Sequence, residues 1–290
     1  KQPATKEEIL LRQEAVAELQ PLTDWRQELM TLGYLNAGAG NDPAPLMQWL
    51  KSDDIFLKTA SEKIITRCLS LLALAAVTAV IAMLPAGILA PVLGVNFIFY
   101  FTRFKRISKL QEQVSRSSDL LKAYSAIIKL IEDRNFTSPL LQKLQSTYSD
   151  EIAASDRIRQ LSKLVGRLDY RLNVLVSAPL NLFFFTDIHF CLALERWKRE
   201  HASRIPGWFA SMAEFEALSS LANMAFNNPG WIYPRVTEDY FVFRAVEMGH
   251  PLIPSGRRIS NSFAAEGTAK AVIVTGSNMS GKSTFLRTCG

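Results

Sequence analysis

The chain has 290 residues, 48% of them hydrophobic and 21% charged, which excludes a disordered chain and leaves room for two or three domains. A formal charge of +6 and a pI near 9.2 favour anionic partners, nucleic acid or lipid headgroups, without choosing between them. The cysteines Cys68, Cys191 and Cys289 are widely spaced, and His189, His201 and His250 fall in no ligand spacing; this argues against a disulfide framework or a metal site made of protein side chains alone and fits a reducing compartment.

Residues 5 to 35 read as helices, with one apolar face from Ile9, Leu10, Val16 and Leu19 and another, after Pro21, from Leu22, Trp25, Leu29 and Leu32. The stretch from Asn36 to Pro45 is a Gly/Ala/Asn/Pro loop. From Cys68 to Thr102 there is no charged residue, a run longer than the roughly 20 apolar residues of one membrane span. Pro85 and Gly87 mark a turn near its middle; Lys63 and Arg67 precede it, and Arg103, Lys105, Arg106 and Lys109 follow it. Positive charge at both ends places both on the cytoplasmic side of a hairpin that dips into lipid and returns, its arms short for full spans. The other reading of this run is a helical hairpin buried in a soluble core.

A heptad-spaced series follows: Ile107, Leu110, Val114, Ser117, Leu121, Tyr124, Ile128 and Ile131. After a turn at Asn135 to Pro139, Ile158, Leu161, Val165, Leu168, Leu172 and Leu175 repeat it. Two such helices joined by a short turn predict an antiparallel, lever-like arm. Lys163, Arg167 and Arg171 share another face, either a stripe for phosphates or a solvated face. Residues 178 to 228 continue helical, through Pro179 and a loop near Pro206 and Gly207; after Asn227-Asn228-Pro229-Gly230 come β-prone runs at 240–243 and 271–274.

The motif that carries chemistry lies near the C-terminal end. Gly276, Ser277, Asn278, Met279, Ser280, Gly281, Lys282, Ser283 and Thr284 fit G-x-x-x-x-G-K-[ST], between the apolar run Ala271–Val274 and a helical start at Phe285-Leu286-Arg287. Glycines let such a backbone curl so that its N–H groups face phosphate oxygens, and the following helix N-terminus adds a positive dipole end. Lys282, the candidate catalytic residue, carries its charge to the β- and γ-phosphates, and Ser283 offers a hydroxyl to Mg²⁺ held with the nucleotide. The expected cofactors are ATP and Mg²⁺.

The words around this loop resemble the MutS family. Thr275 to Arg287 resembles its usual TGPNMxGKST loop followed by an aromatic or Leu and an Arg, with Asn278-Met279 as the family-specific part and Ser277 in place of Pro. Gly249-His250-Pro251-Leu252 looks like the family's turn before the nucleotide site, Arg258-Ile259-Ser260-Asn261 like its F/V-x-x-N segment, and Glu214 to Ala222 like the helix that opens its ATPase domain. Residues 5 to 32, with Arg12-Gln13 and Val16, look like the start of its helical core. The resemblance implies that Arg258, where repair members often carry an aromatic, stacks on adenine beside Ile259, and that two ATPase domains pair as a homodimer. It also implies DNA as a candidate partner. The lever turn is too short for the DNA clamp of the repair members, and no mismatch-reading Phe-x-Glu segment is present. Together with the apolar hairpin, that is most similar to bacterial MutS-related proteins tethered to the cytoplasmic face of the inner membrane.

The expected fold is mainly α, a helical core and long antiparallel lever helices, followed by the truncated start of a P-loop α/β ATPase domain. The divisions are a helical core segment at 1–62, the hairpin at 63–106 with residues 68–102 as the membrane candidate, lever helices at 107–205 and the ATPase part at 206–290. Lys1 at the start, the lack of a signal-peptide pattern and a stop at Gly290 read as a fragment without the acidic Mg²⁺-binding strand, so hydrolysis is expected of the intact protein and not of these residues alone. The expected function is ATP binding coupled to movement of the helical arm in DNA processing. The alternative is a membrane-anchored ATP switch that acts on a protein partner.

Overall fold

The structure, a computed structural model, describes residues 4–36, 44–57, 61–115, 117–149, 152–237, 242–268, 271–277 and 280–289. It is 70% helical with 5% strand, and so mainly α. The chain divides into two compact units: Leu10–Trp231, and Ile232–Gly290 with Lys1–Ile9.

The larger unit begins in α1 (Lys6–Leu19). Thr5 and Glu8 form a reciprocal cap on it: the Thr5 N–H donates to the Glu8 carboxylate at 2.8 Å, and the Glu8 N–H to the Thr5 hydroxyl at 3.2 Å. Ala15, Val16 and Leu19 are its buried residues, while Leu10 is open to solvent. In α2 (Thr23–Asn36), Trp25 and Leu29 enter the core and the Trp25 indole N–H donates to the Leu130 carbonyl at 3.2 Å. Arg26 closes the end of α1, donating to the carbonyls of Leu19 and Gln20, both at 2.9 Å. The loop predicted at 36–45 lies mostly outside the described residues. Leu46 and Trp49 of α3 (Ala44–Lys51) continue the core.

The uncharged run forms a helical hairpin. Its arms are α4 (Ser61–Ile81) and α5 (Leu89–Val114), joined through the predicted turn, where Ala86–Ile88 make a 3-10 turn. Both arms are long and apolar enough to cross a membrane. Ala73 and Ala76, one turn apart, are buried, as small residues are where helices approach closely. The arms are not sunk in the core: Leu71, Ile98 and Phe101 are each 65% exposed, and Met83 at the tip is 95% exposed. The reading as a hairpin buried in a soluble core therefore does not describe this fold. At the base, Glu62 is buried and meets Arg103 at 3.4 Å and Arg106 at 3.8 Å.

The heptad series is buried from Ile107 to Ile131, with Tyr124 half-buried, but it is not one helix. Ser115 is extended (φ −56°, ψ 146°), and the series resumes in α6 (Ser117–Glu132). The second helix of the pair is α8 (Ala154–Asp169). It packs antiparallel to α6, with the Ser162 hydroxyl donating to the Ser118 carbonyl and the Ser125 hydroxyl to the Ser155 carbonyl, both at 2.8 Å. The short predicted turn is instead a connection holding α7 (Pro139–Ser146). Nor does the pair stand free as a lever: α2 packs on α6 and α10 (Thr186–His201) on α8, so its seam is part of the common core.

The heptad spacing outlasts its helix. After Asp169 the chain makes a 3-10 turn at Tyr170–Leu172 and enters α9 (Val174–Phe184), leaving Leu172 and Leu175 exposed. An 82° bend at Phe185, in the left-handed region at φ 50°, separates α9 from α10. Pro206, predicted in a loop, sits in the first turn of α11 (Ile205–Asn227), where its missing N–H costs no helical bond. Within α11, Phe215, Leu218, Ser219 and Ala222 are buried, and Glu214 pairs with Arg12 at 3.2 Å, so the segment Glu214–Ala222 packs in the helical unit.

The smaller unit holds two antiparallel strands, β1 (Val242–Met248) and β2 (Asn261–Glu266). Val242 faces Glu266 and Ala245 faces Phe263; a bulge between Ala245 and Met248 coincides with a left-handed Glu247 at φ 51°. Residues 271–277 form no strand, although 271–274 has the composition of one. A strand exists only as half of a ladder, and here β1 and β2 pair with each other. Residues 240–241 of the other β-prone run lie outside the described residues. The unit ends with α12 (Lys282–Cys289), whose Phe285 meets Phe263 edge-on at 5.6 Å and so ties the helix to β2.

Candidate nucleotide site

The loop 276–284 is built from two conformations that suit glycine. At Gly276 a Cβ would lie 2.9 Å from the Ser280 hydroxyl, so a side chain there would fill the concave face of the loop. Gly281 is left-handed at φ 82°, unfavourable for an L side chain, and hands the chain directly into α12. Lys282 folds back over this curl: its ammonium donates to the Gly276 carbonyl at 2.5 Å and to the Ser277 carbonyl at 2.6 Å. The Phe285 N–H donates to the Gly281 carbonyl at 2.9 Å and closes the first helical turn. The N–H groups ahead of it have no acceptor within the helix and face the loop side. Ser283 and Thr284 are exposed in that turn. Asn278 and Met279, the family-specific pair, lie outside the described residues.

A polyphosphate fits this set. The concave turn, the first-turn N–H groups and a flexible ammonium already over the loop are complementary to phosphate oxygens, and the Ser283 hydroxyl is an oxygen donor of the kind Mg²⁺ prefers.

Upstream, the turn at Gly249-His250-Pro251-Leu252 is locally held, with the Leu252 N–H donating to His250 Nδ1 at 3.2 Å. Arg258 lies across Gly249, where a Cβ would come within 2.5 Å of its Cδ. Gly249 thus makes room for the arginine expected at the base. Ile259 is 83% exposed.

The basic stripe does not survive folding. Lys163 and Arg167 point outward from α8, but Arg171 lies beyond the helix and its side chain is turned inward, 8% exposed. Its guanidinium meets Asp187 at 3.2 Å, donates to Gln111 at 2.9 Å and Ser108 at 3.0 Å, and stacks on Phe104 at 4.5 Å.

Sequence reasoning missed a second polar centre. The Glu195 carboxylate, fully buried in α10, accepts the backbone N–H groups of Ile55, Phe56 and Leu57, at 2.5 to 3.1 Å. Lys198, one turn later, donates to the Ser52 carbonyl at 2.9 Å and meets Asp54 at 3.0 Å; Arg199 also reaches Asp54. Burial alone would push the Asp54 carboxyl up, but the hydrogen bonds from Arg199 and Lys198 outweigh it and hold that carboxyl below its usual range. The spacing of Glu195 and Lys198, one turn apart on the face that also carries Cys191 and Leu194, was the available signal.

Fold and loop thus define a mainly helical protein with a glycine-bounded loop, overlain by Lys282, near its C-terminal end. In sequence, the chain is 36% identical over 91 residues to proteins named DNA mismatch repair protein MutS from two strains of Chloroflexus aurantiacus. The match covers 30% of this chain and 9% of each relative, a partial, MutS-like relationship. No protein-family model and no solved structure matches the chain.

Proposed function

We propose that this chain belongs to a MutS-like ATP-binding protein, an ATPase when intact, that is anchored to a membrane by the hairpin α4–α5 and couples nucleotide state to its helical body. The loop carries the reading: Gly276 and Gly281 shape it, and Lys282 stands over it, poised to exchange two carbonyl oxygens for phosphate oxygens. Bound Mg²⁺–ATP would bring the triphosphate and the cation that offsets its charge. This chain's part is to wrap the phosphates with backbone N–H groups, neutralise them with Lys282, hold the cation through Ser283 and bracket the base with Arg258 and Ile259. Pairing of two such domains as a homodimer completes the reading, by likeness to the MutS family.

The membrane part is supported by the outward apolar arms and by their cationic base. Its place would be the cytoplasmic face of a bacterial inner membrane. DNA is the second reading, favoured by the positive net charge and by the relatives' printed name. The internal pairing of Arg171 with Asp187 removes one of the three cations that suggested it.

Titration of the full-length protein with a fluorescent ATP analogue tests the nucleotide site. Lys282→Ala should weaken binding at least tenfold with the fold unchanged by circular dichroism; equal affinity would refute the assignment. Flotation with phosphatidylcholine vesicles tests the anchor. Met83→Asp with Ile98→Asp should abolish co-flotation, and undiminished co-flotation would refute it.

A further inference from the structure

The hairpin does not account for α9. From Leu172 to Thr186 the chain carries no charge, with Arg171 and Asp187 at its two ends. Leu172 is 72% exposed, Val174 70% and Leu175 89%. So open an apolar row needs a covering.

Three features of the fold say what covers it. The first is continuity. α9 packs on both α4 and α5, and the Asn96 amide of α5 donates to the Leu182 carbonyl at 2.8 Å. The open side chains of α9 therefore extend the apolar surface that the arms begin.

The second is where the charges lie. Arg171 and Asp187, from opposite ends of the uncharged run, pair with each other at 3.2 Å. Arg171 is tied to Ser108 and Gln111 in the half of α5 that carries the charged residues, and Asp187 accepts the Tyr100 hydroxyl at 2.7 Å. An element whose two charged ends meet on one side enters and leaves by that side.

The third is the bend. After Phe185, α10 turns into the core and buries Ile188, Cys191, Leu194, Glu195, Trp197 and Lys198. It is too enclosed and too charged to be the second half of a span. α9 alone has 11 residues, about 16 Å, close to the roughly 15 Å of a single leaflet's hydrocarbon. Backbone that breaks inside lipid needs internal partners. Asn181 supplies them: its side-chain oxygen accepts the Asp187 N–H at 2.9 Å and the Thr186 hydroxyl at 3.2 Å.

We propose that α9 is a re-entrant half-helix, embedded in the lipid leaflet through which the hairpin enters and returning to the aqueous side at Phe185. The hairpin and α9 together form a wedge inserted from one face. This rests on the reading of α4–α5 as a membrane anchor.

The test uses the full-length protein with Cys68→Ser and Cys289→Ser. Cys191 is fully buried and stays unlabelled. An environment-sensitive fluorophore is placed singly by Met83→Cys at the tip, Leu175→Cys on α9 and Lys163→Cys on α8. The labelled proteins are bound to phosphatidylcholine vesicles whose acyl chains carry bromine as a quencher. Quenching at 83 and 175 several-fold above that at 163 is expected. Quenching at 83 with 175 no different from 163 overturns the half-helix and leaves the anchor standing. No quenching at either overturns both. Independently, Leu175→Asp should lower vesicle association several-fold while Lys163→Asp leaves it unchanged; unchanged association of Leu175→Asp counts against the half-helix.

Discussion

At Gly276 the backbone lies at φ 156°, which L side chains rarely adopt, and a Cβ would also sit 2.9 Å from the Ser280 hydroxyl. Gly276→Ala should therefore open the curl and weaken ATP-analogue binding at least tenfold, with thermal stability within about 1 kcal/mol of wild type; normal affinity would show that the curl is not required. Glu195 and Asp54 act on stability instead. Glu195→Gln leaves at least one buried backbone N–H with a weaker or missing acceptor and should cost about 1–3 kcal/mol, read as a lower urea midpoint. Asp54 sets a pH dependence. Its carboxyl is held lower in the folded chain than in the unfolded one, so its contribution is complete above the unfolded value, about 4. That contribution is lost as pH falls from there through the folded value. The stability gap between wild type and Asp54→Asn should be open at pH 7 and narrow toward pH 3; a gap that widens on acidification would mean that folding raises the affinity of this carboxyl for its proton.

Among the elements, the α6–α8 seam shows how far periodicity reaches. Leu168 and Leu172 are consecutive members of the same heptad-spaced series, yet Leu168 is fully buried and Leu172 is 72% exposed. Leu168→Ala should cost about 2–5 kcal/mol and Leu172→Ala well under 1, measured by denaturant unfolding in detergent; equal costs would mean that the seam continues past Asp169. Spacing reports which side chains could share a face, not where the helix stops. Nothing in the apolar spacing marks Ser115, where the backbone turns extended although Val114 and Ser117 on either side are both buried. In the same way, the composition of Ala271–Val274 suits a strand, but a ladder needs a second strand, and β1 and β2 supply it only to each other.

For the molecule as a whole, the helical unit and the unit with the loop divide at Trp231–Ile232. The helical unit carries the apolar hairpin and the smaller unit the loop. With Arg171 turned inward, DNA binding by the full-length protein should be weak, strongly salt-dependent and indifferent to mismatches, as expected of phosphate attraction alone. A filter-binding comparison of matched and mismatched duplexes, with and without ATP, checks this; an ATP-dependent preference for one duplex would restore DNA processing as the leading reading. The sequence by itself determined the mainly α composition, the uncharged run that forms the hairpin, most of the helical faces and the glycine–lysine loop motif. Each is a local property: charge along a run, residue spacing, or glycines at set offsets from a lysine. Only the tertiary structure decided which faces are covered. It placed Arg171 against Asp187 rather than in a stripe, packed the lever pair into the core and left α9 uncovered. Those outcomes depend on which segments meet, and long-range pairing is written in no single stretch of the chain.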